Sequence, residues 1–394
     1  MGVNKKVSGI KAKYLSEHFL TSRDIGFSYK SRVLAGILSK RALIGPYFVT
    51  IGDRYQCNHR CIFCEWFSPL VKKKRTQVNS PDCLSFDVYR KLVRELKALG
   101  TKVILIGNIE EPFLDTQLME KIKYTKEQNL KCFLITNGSL INQENAEEIV
   151  NLKLDYLNVS INAGTPETYP RIHITETEET FERIVSMVLL IEKTKANKRT
   201  IFPRTRLSMV VCNRNYHDIV KFVKLSQEIG VKTVLIKRFI SVTKEIVDEL
   251  ELTPKQEEET NRYLAEAIEF ARKHNINLDM EWAEWTGAQK NHSEQNMPCY
   301  FGWLFSVIDA DGNVYPCCFQ NRSPSSAIGN IKKDDFRSLW FSEKYQFFRK
   351  QSKNIDDRRQ NGFLCNQPSC FFNNKKIYDS LHKPYLLPFT TQAT

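Results

Sequence analysis

Three cysteines within eight residues constrain this chain more than any other feature. They stand in Cys57-Asn-His-Arg-Cys61-Ile-Phe-Cys64, directly after a short apolar run at 47–51. Three thiolates from one loop can hold three irons of a [4Fe-4S] cube, leaving the fourth iron open to a small molecule. Zinc is the competing reading, but zinc usually takes a fourth ligand close by. His59 lies inside the loop, where it does not easily join a tetrahedron. The chain carries 11 cysteines in 394 residues. The N-terminus has basic residues but no hydrophobic signal region, since the run at 33–38 is too short and sits too far in. Secretion is therefore not expected, a cytoplasmic location is, and the cysteines read as thiol or metal chemistry rather than a disulfide framework. No apolar run approaches the roughly 18 residues of a membrane span. At 42% hydrophobic and 26% charged, the composition is that of a globular protein.

Downstream of the loop, strand-like and helix-like runs alternate. The strand candidates are 47–51, 102–106, 130–135, 156–161, 206–211 and 232–237, each short and rich in Val, Ile, Leu or Phe. Between them, 86–99 repeats apolar residues at Val88, Leu92, Val93, Leu96 and Leu99 before Gly100, and 219–229 repeats the pattern before Gly230. Six such units predict an α/β fold, a parallel barrel that is partly or fully closed, with its chemistry at the C-terminal strand ends. The barrel is placed at 46–245. Before it, residues 1–45 carry nine Lys or Arg against two acids, a net +7 of the chain's +13. This segment reads as a basic helical extension that covers the barrel or meets an anionic surface such as a membrane or a peptide leader. Residues 246–293 read as an acidic helical linker. Residues 294–394 form a small α+β unit, in which Asp311-Gly312 turns a hairpin between Val307 and Tyr315.

The three-cysteine loop after the first strand of a six-strand barrel resembles the radical S-adenosylmethionine (radical SAM) superfamily. The resemblance runs through 47–240. Gly107-Asn-Ile-Glu110-Glu111-Pro112 stands where the family has a Gly-Gly-Glu motif after the second strand, and Pro112 favours Glu111 as the acid. Ile135-Thr-Asn-Gly138 is similar to the family's turn after the third strand, and Val159-Ser160-Ile-Asn162 ends the fourth. The resemblance implies that Cys57, Cys61 and Cys64 hold the cluster. It also implies that Glu111, Ser160 and Asn162 bind S-adenosylmethionine, and that Phe63 lies near its adenine. Cluster-driven cleavage to a 5′-deoxyadenosyl radical is then expected, fed by an electron donor such as flavodoxin or ferredoxin.

The C-terminal unit contains Cys299, then Asp311-Gly-Asn-Val-Tyr-Pro-Cys317-Cys318, then Gly329-Asn-Ile331, Leu339-Trp340 and Arg349, then Cys365 and Cys370. This resembles the SPASM and twitch extensions of radical SAM barrels. The match implies one auxiliary [4Fe-4S] cluster on Cys299, Cys317, Cys365 and Cys370, with Cys318 spare and a closed zinc site as the alternative. Cys83 and Cys132 read as inert. Cys212, at the end of the fifth strand, is a candidate hydrogen donor to a substrate radical, as an epimerase requires. Lys237 and Arg238 end the sixth strand and are candidate grips for a carboxylate or phosphate. The expected reaction is oxidation (dehydrogenation) or epimerisation of a small molecule such as a sugar or aminocyclitol. The alternatives are a peptide maturase and a non-catalytic iron–sulfur or zinc protein. About 45 residues precede the barrel, short of a leader-binding module, which tilts the reading to a small substrate. No RNA-binding motif is visible, and nucleic acid is not an expected partner.

Overall fold

The computed structural model describes residues 26–71, 83–241, 243–280, 298–317 and 326–353. Helix α1 (Phe27–Leu38) precedes strand β1 (Phe48–Ile51). Then come α2 (Phe86–Ala98) and β2 (Val103–Ile106), α3 (Leu118–Glu127) and β3 (Lys131–Thr136), and α4 (Gln143–Asn151) and β4 (Tyr156–Ser160). The short α5 (Tyr169–Ile172) and long α6 (Glu178–Asn197) lead to β5 (Arg204–Val211), and α7 (Ile219–Glu228) leads to β6 (Thr233–Arg238). These six strands lie side by side, all parallel, in chain order. The α/β barrel expected from the alternation is the architecture found, and the strand ends fall within two residues of the expected ones.

Helix starts follow local chemistry. Ser85 caps α2 by accepting from Val88 N, and the helix buries Tyr89, Leu92, Val93 and Leu96 on one face. The strands alternate. On β5, Leu207, Met209 and Val211 join the main core beneath the helices, while Arg206 and Ser208 bond to inward side chains of β4. Rings fill part of the lumen: Phe48 lies 5.9 Å from Phe133 and 5.8 Å from Phe305, and Phe133 lies 5.1 Å from Tyr156.

Two features extend the expected plan. After α8 (Lys244–Leu250) and α9 (Pro254–Lys273), the segment read as wholly helical adds β7 (Asn277–Met280), parallel to β6. Its apolar signal is Ile276, Leu278 and Met280, too little to stand out beside Asn275, Asn277 and Asp279. After α10 (Phe301–Leu304), β8 (Phe305–Ile308) pairs parallel with β1 over four residues. The C-terminal unit therefore continues the barrel sheet through β8, β9 (Asn313–Tyr315) and β10 (Gly329–Asn330), ending in α11 (Phe336–Phe341) and α12 (Glu343–Lys353). The hairpin expected around Asp311-Gly312 is the antiparallel β8–β9 pair. Tyr345 and Phe348 are buried in that unit's core, while Phe347 is exposed on the other side of α12. No helix among the described residues is long and apolar enough to cross a membrane. Most of the basic extension (1–25), along with Cys318, Cys365 and Cys370, lies outside the described residues.

Candidate metal and cofactor site

The loop after β1 brings its three cysteines to the C-terminal end of the barrel. Cys57, Cys61 and Cys64 are each half-buried and unbridged. Two backbone N–H groups, of Trp66 and Phe67, donate to Cys64 Sγ at 3.4 Å each. Such donors stabilise a thiolate or a cluster sulfur. Arg60 braces the loop by donating to the carbonyls of Cys57 at 2.7 Å and His59 at 3.0 Å. Burial pushes the Cys57 thiol up to about 12, and burial followed by the neighbouring sulfurs pushes Cys61 well above its ordinary value. Three thiols in this setting shed their protons only to a cation that replaces them.

Two histidines stand behind the loop. His173 Nε2 donates to the carbonyl of Ile161 at 3.0 Å, which leaves Nδ1 to accept from the Cys61 thiol at 3.1 Å. His59 is buried, 5.0 Å ring to ring from His173, and burial and His173 hold it down to about 3. The ligand atoms of His59, Cys61 and His173 lie within 4.8 Å of one another. The fold thus brings His59 closer to a metal-ligand set than its place in the loop suggested. This trio is one a zinc ion could use, and it competes with the cysteine triad for Cys61.

The strand ends supply the rest. Gly107 turns the chain out of β2 at φ +106°, where a Cβ would meet the Ile135 carbonyl at 2.6 Å. That close approach brings Glu111 onto the β3 turn. Its carboxylate accepts from Thr136 Oγ1 at 2.6 Å, Asn137 N at 2.7 Å and Phe113 N at 3.1 Å. Burial nevertheless pushes it up to about 7. Glu110 turns back on its own backbone, taking Ile109 N at 2.9 Å, and burial raises it to about 8. The turn is tied to the cysteine loop: Asn137 donates to Asn58 Oδ1 at 2.9 Å, and Asn58 donates to Ser139 Oγ at 2.8 Å. Asn162, at φ +60°, spends its side-chain oxygen on Val210 N at 2.9 Å, clamping β4 to β5. Phe63 is half-buried against Ile62, Ile172 and Cys212.

Below the strand ends, a polar network lines the lumen wall of β4 and β5. Asn158 donates to Ser208 Oγ at 2.9 Å and Ser160 Oγ at 3.2 Å, and Arg206 donates to Asn158 Oδ1 at 2.7 Å with its guanidinium 5.0 Å from the Tyr156 ring centroid. Sequence reading singled out Ser160 but missed Asn158, Arg206 and Ser208. Their alternation along each strand was visible, but the cross-strand register that joins them was not. Arg238, a candidate grip, pairs instead with Glu257 of α9, while Lys237 is half-buried. Cys212 is fully buried among Ile62, Ile172, Ile246 and Leu250.

In the C-terminal unit, Cys299 is buried and Cys317 half-buried. The unit touches the cysteine loop directly. Tyr55 donates to Asp311 Oδ2 at 3.1 Å and stacks on Trp66 at 6.1 Å, and Ala310 packs into the same cluster as Cys57 and Cys64.

Residues 55–226 match the model of the radical SAM superfamily, and residues 299–370 match that of the SPASM iron–sulfur cluster-binding domain. The chain belongs to the radical SAM superfamily. This radical SAM protein is 21% identical over 320 residues to the tungsten-containing aldehyde ferredoxin oxidoreductase cofactor-modifying protein of Pyrococcus furiosus, covering 76% of this chain and 82% of that one. It is 26% identical over 308 residues to the AdoMet-dependent heme synthase of Methanosarcina barkeri, covering 75% and 81%. Its fold matches that of Streptococcus suis SuiB bound to S-adenosylmethionine with a TM-score of 0.61 at 14% identity, over 82% of this chain and 72% of that chain. Its cofactors are a [4Fe-4S] cluster with S-adenosylmethionine and an auxiliary iron–sulfur cluster. The residues present fit both. The half-buried cysteine loop with N–H donors on Cys64 suits an open cluster, and a buried guanidinium with one nitrogen lacking a hydrogen-bond partner stands beside the Cys299 segment.

Proposed function

We propose that this radical SAM enzyme oxidises a small molecule held in the barrel lumen. In this reading Cys57, Cys61 and Cys64 hold the cluster that binds S-adenosylmethionine. Cys299 and Cys317, with Cys365 and Cys370, hold the auxiliary [4Fe-4S] cluster. When bound, the first cluster supplies the electron that splits S-adenosylmethionine to the 5′-deoxyadenosyl radical, which takes a hydrogen atom from substrate. Glu111 receives the ammonium of the cofactor, held in place by Thr136 and Asn137. Ser160 and Asn162 face its ribose and methionyl parts, and Phe63 lies against its adenine. Arg206, fixed by Asn158, offers a cation to an anionic group of the substrate. The electron for cleavage comes from a low-potential donor such as flavodoxin or ferredoxin.

The observation that carries oxidation over epimerisation is the burial of Cys212. Epimerisation needs a thiol that returns a hydrogen atom, and Cys212 is enclosed by aliphatic side chains. Of the other described cysteines outside the two candidate sites, Cys132 is sealed in the core behind β3 and Cys83 is exposed beside Arg54. The auxiliary cluster, when bound, would supply the acceptor for one electron from the substrate, and with one proton passing to solvent the substrate would lose two hydrogens in all. The test is anaerobic turnover in D2O with sugars, aminocyclitols and an iron porphyrin, the last chosen for the heme-synthase relative. A product two mass units lighter, formed with 5′-deoxyadenosine, supports oxidation. A product one mass unit heavier, with the gain lost in Cys212→Ala, establishes epimerisation instead.

A further inference from the structure

We infer that Arg349 is the counter-cation of the auxiliary cluster and favours the reduced state of that cluster. This rests on the placement of the cluster on Cys299 and Cys317. Arg349 lies on α12 and is fully buried. Its Nε donates to the Gly302 carbonyl at 2.7 Å. Its guanidinium carbon stands 4.4 Å from the Trp340 ring centroid and 4.2 Å from that of Tyr345. Its Nη2 has no hydrogen-bond partner, and among the described residues no carboxylate pairs with it. Burying a cation without an anion is expensive, and two aromatic faces offset only part of that cost. Burial lowers Arg349 only to about 10, so it stays charged at neutral pH.

Its neighbours say which anion completes it. Gly302, whose carbonyl it holds, follows Cys299 by three residues. Ser352, on the next residues of α12, accepts from Cys299 N at 2.9 Å and donates to the Cys299 carbonyl at 3.2 Å. Tyr345, whose ring faces the guanidinium, donates its hydroxyl to the Phe305 carbonyl at 2.9 Å, at the start of the strand that follows Gly302. The guanidinium thus lies beside the segment that carries Cys299, one of the proposed ligands. A cube held by four thiolates is an anion and gains a further negative charge on one-electron reduction. A fixed cation at this site stabilises the reduced form more than the oxidised one.

The test uses the full chain with Cys57, Cys61 and Cys64 all changed to Ala, so that only the auxiliary cluster remains. Arg349→Lys keeps the charge and Arg349→Gln removes it. Iron per chain and an EPR-monitored redox titration are read for each. The expected result is that Gln shifts the reduction equilibrium at least tenfold toward the oxidised form, about 59 mV for a one-electron couple, while Lys stays near the parent. Loss of iron in Gln but not in Lys carries the same meaning. An unchanged midpoint in Gln overturns the inference, as do equal shifts or equal iron loss in both variants, which assign Arg349 to packing. A parent without iron overturns the ligand placement, and the inference with it.

Discussion

Around Cys57, Cys61 and Cys64 the chain is half-buried, and the nearby arginine, Arg60, is spent on backbone carbonyls. Around Cys299 the chain is closed, and Arg349 keeps a guanidinium nitrogen unspent. The difference follows from what each site must admit. A cluster that binds a cofactor at its open iron needs a mouth, and water at that mouth screens its charge. In the proposed ligand set the auxiliary cluster is enclosed by four thiolates and has no mouth, so its charge is met by the protein. Two cysteine sets thus meet two electrostatic designs in a single sheet, joined where Tyr55 and Ala310 meet.

The comparison is broken most severely by removing one thiol from each site. Cys61→Ala abolishes reductive cleavage of S-adenosylmethionine, read as 5′-deoxyadenosine under dithionite. Cys299→Ala leaves that cleavage but stops substrate oxidation. Equal loss in both would join the two sites into one functional unit. Gly107→Ala comes next. Its Cβ would stand 2.6 Å from a backbone oxygen at φ +106°, so a loss of about 3 kcal/mol is expected in urea unfolding of the cluster-free protein. Glu111→Gln weakens S-adenosylmethionine binding about tenfold, ~1.4 kcal/mol, by calorimetry. It leaves the auxiliary iron unchanged. The smallest effect is Tyr55→Phe, which removes the bond to Asp311 across the contact between the two regions. A loss of about 1 kcal/mol is expected, seen as a lower denaturant midpoint with both clusters retained.

Local signals carried much of this into view from sequence. The cysteine spacing, the turn residues Gly107 and Gly138 and the strand-end residues Ser160 and Asn162 are each local. What stayed hidden depends on elements meeting across the sheet. β8 pairing with β1 joins segments more than 250 residues apart, so the C-terminal unit read as separate. The His173–Cys61 contact spans 112 residues, and neither neighbour in sequence announces it. Arg349 has the spacing of a solvated helical arginine, and only the packing of Trp340 and Tyr345 reveals its burial.

The most direct measurement is anaerobic iron and sulfide content with Mössbauer spectra, on the wild type and on the Cys57/Cys61/Cys64 triple alanine variant. The account predicts about eight irons falling to about four, the remainder showing the spectrum of a single [4Fe-4S] cluster. About four irons falling to none, with zinc in the C-terminal unit, would contradict it.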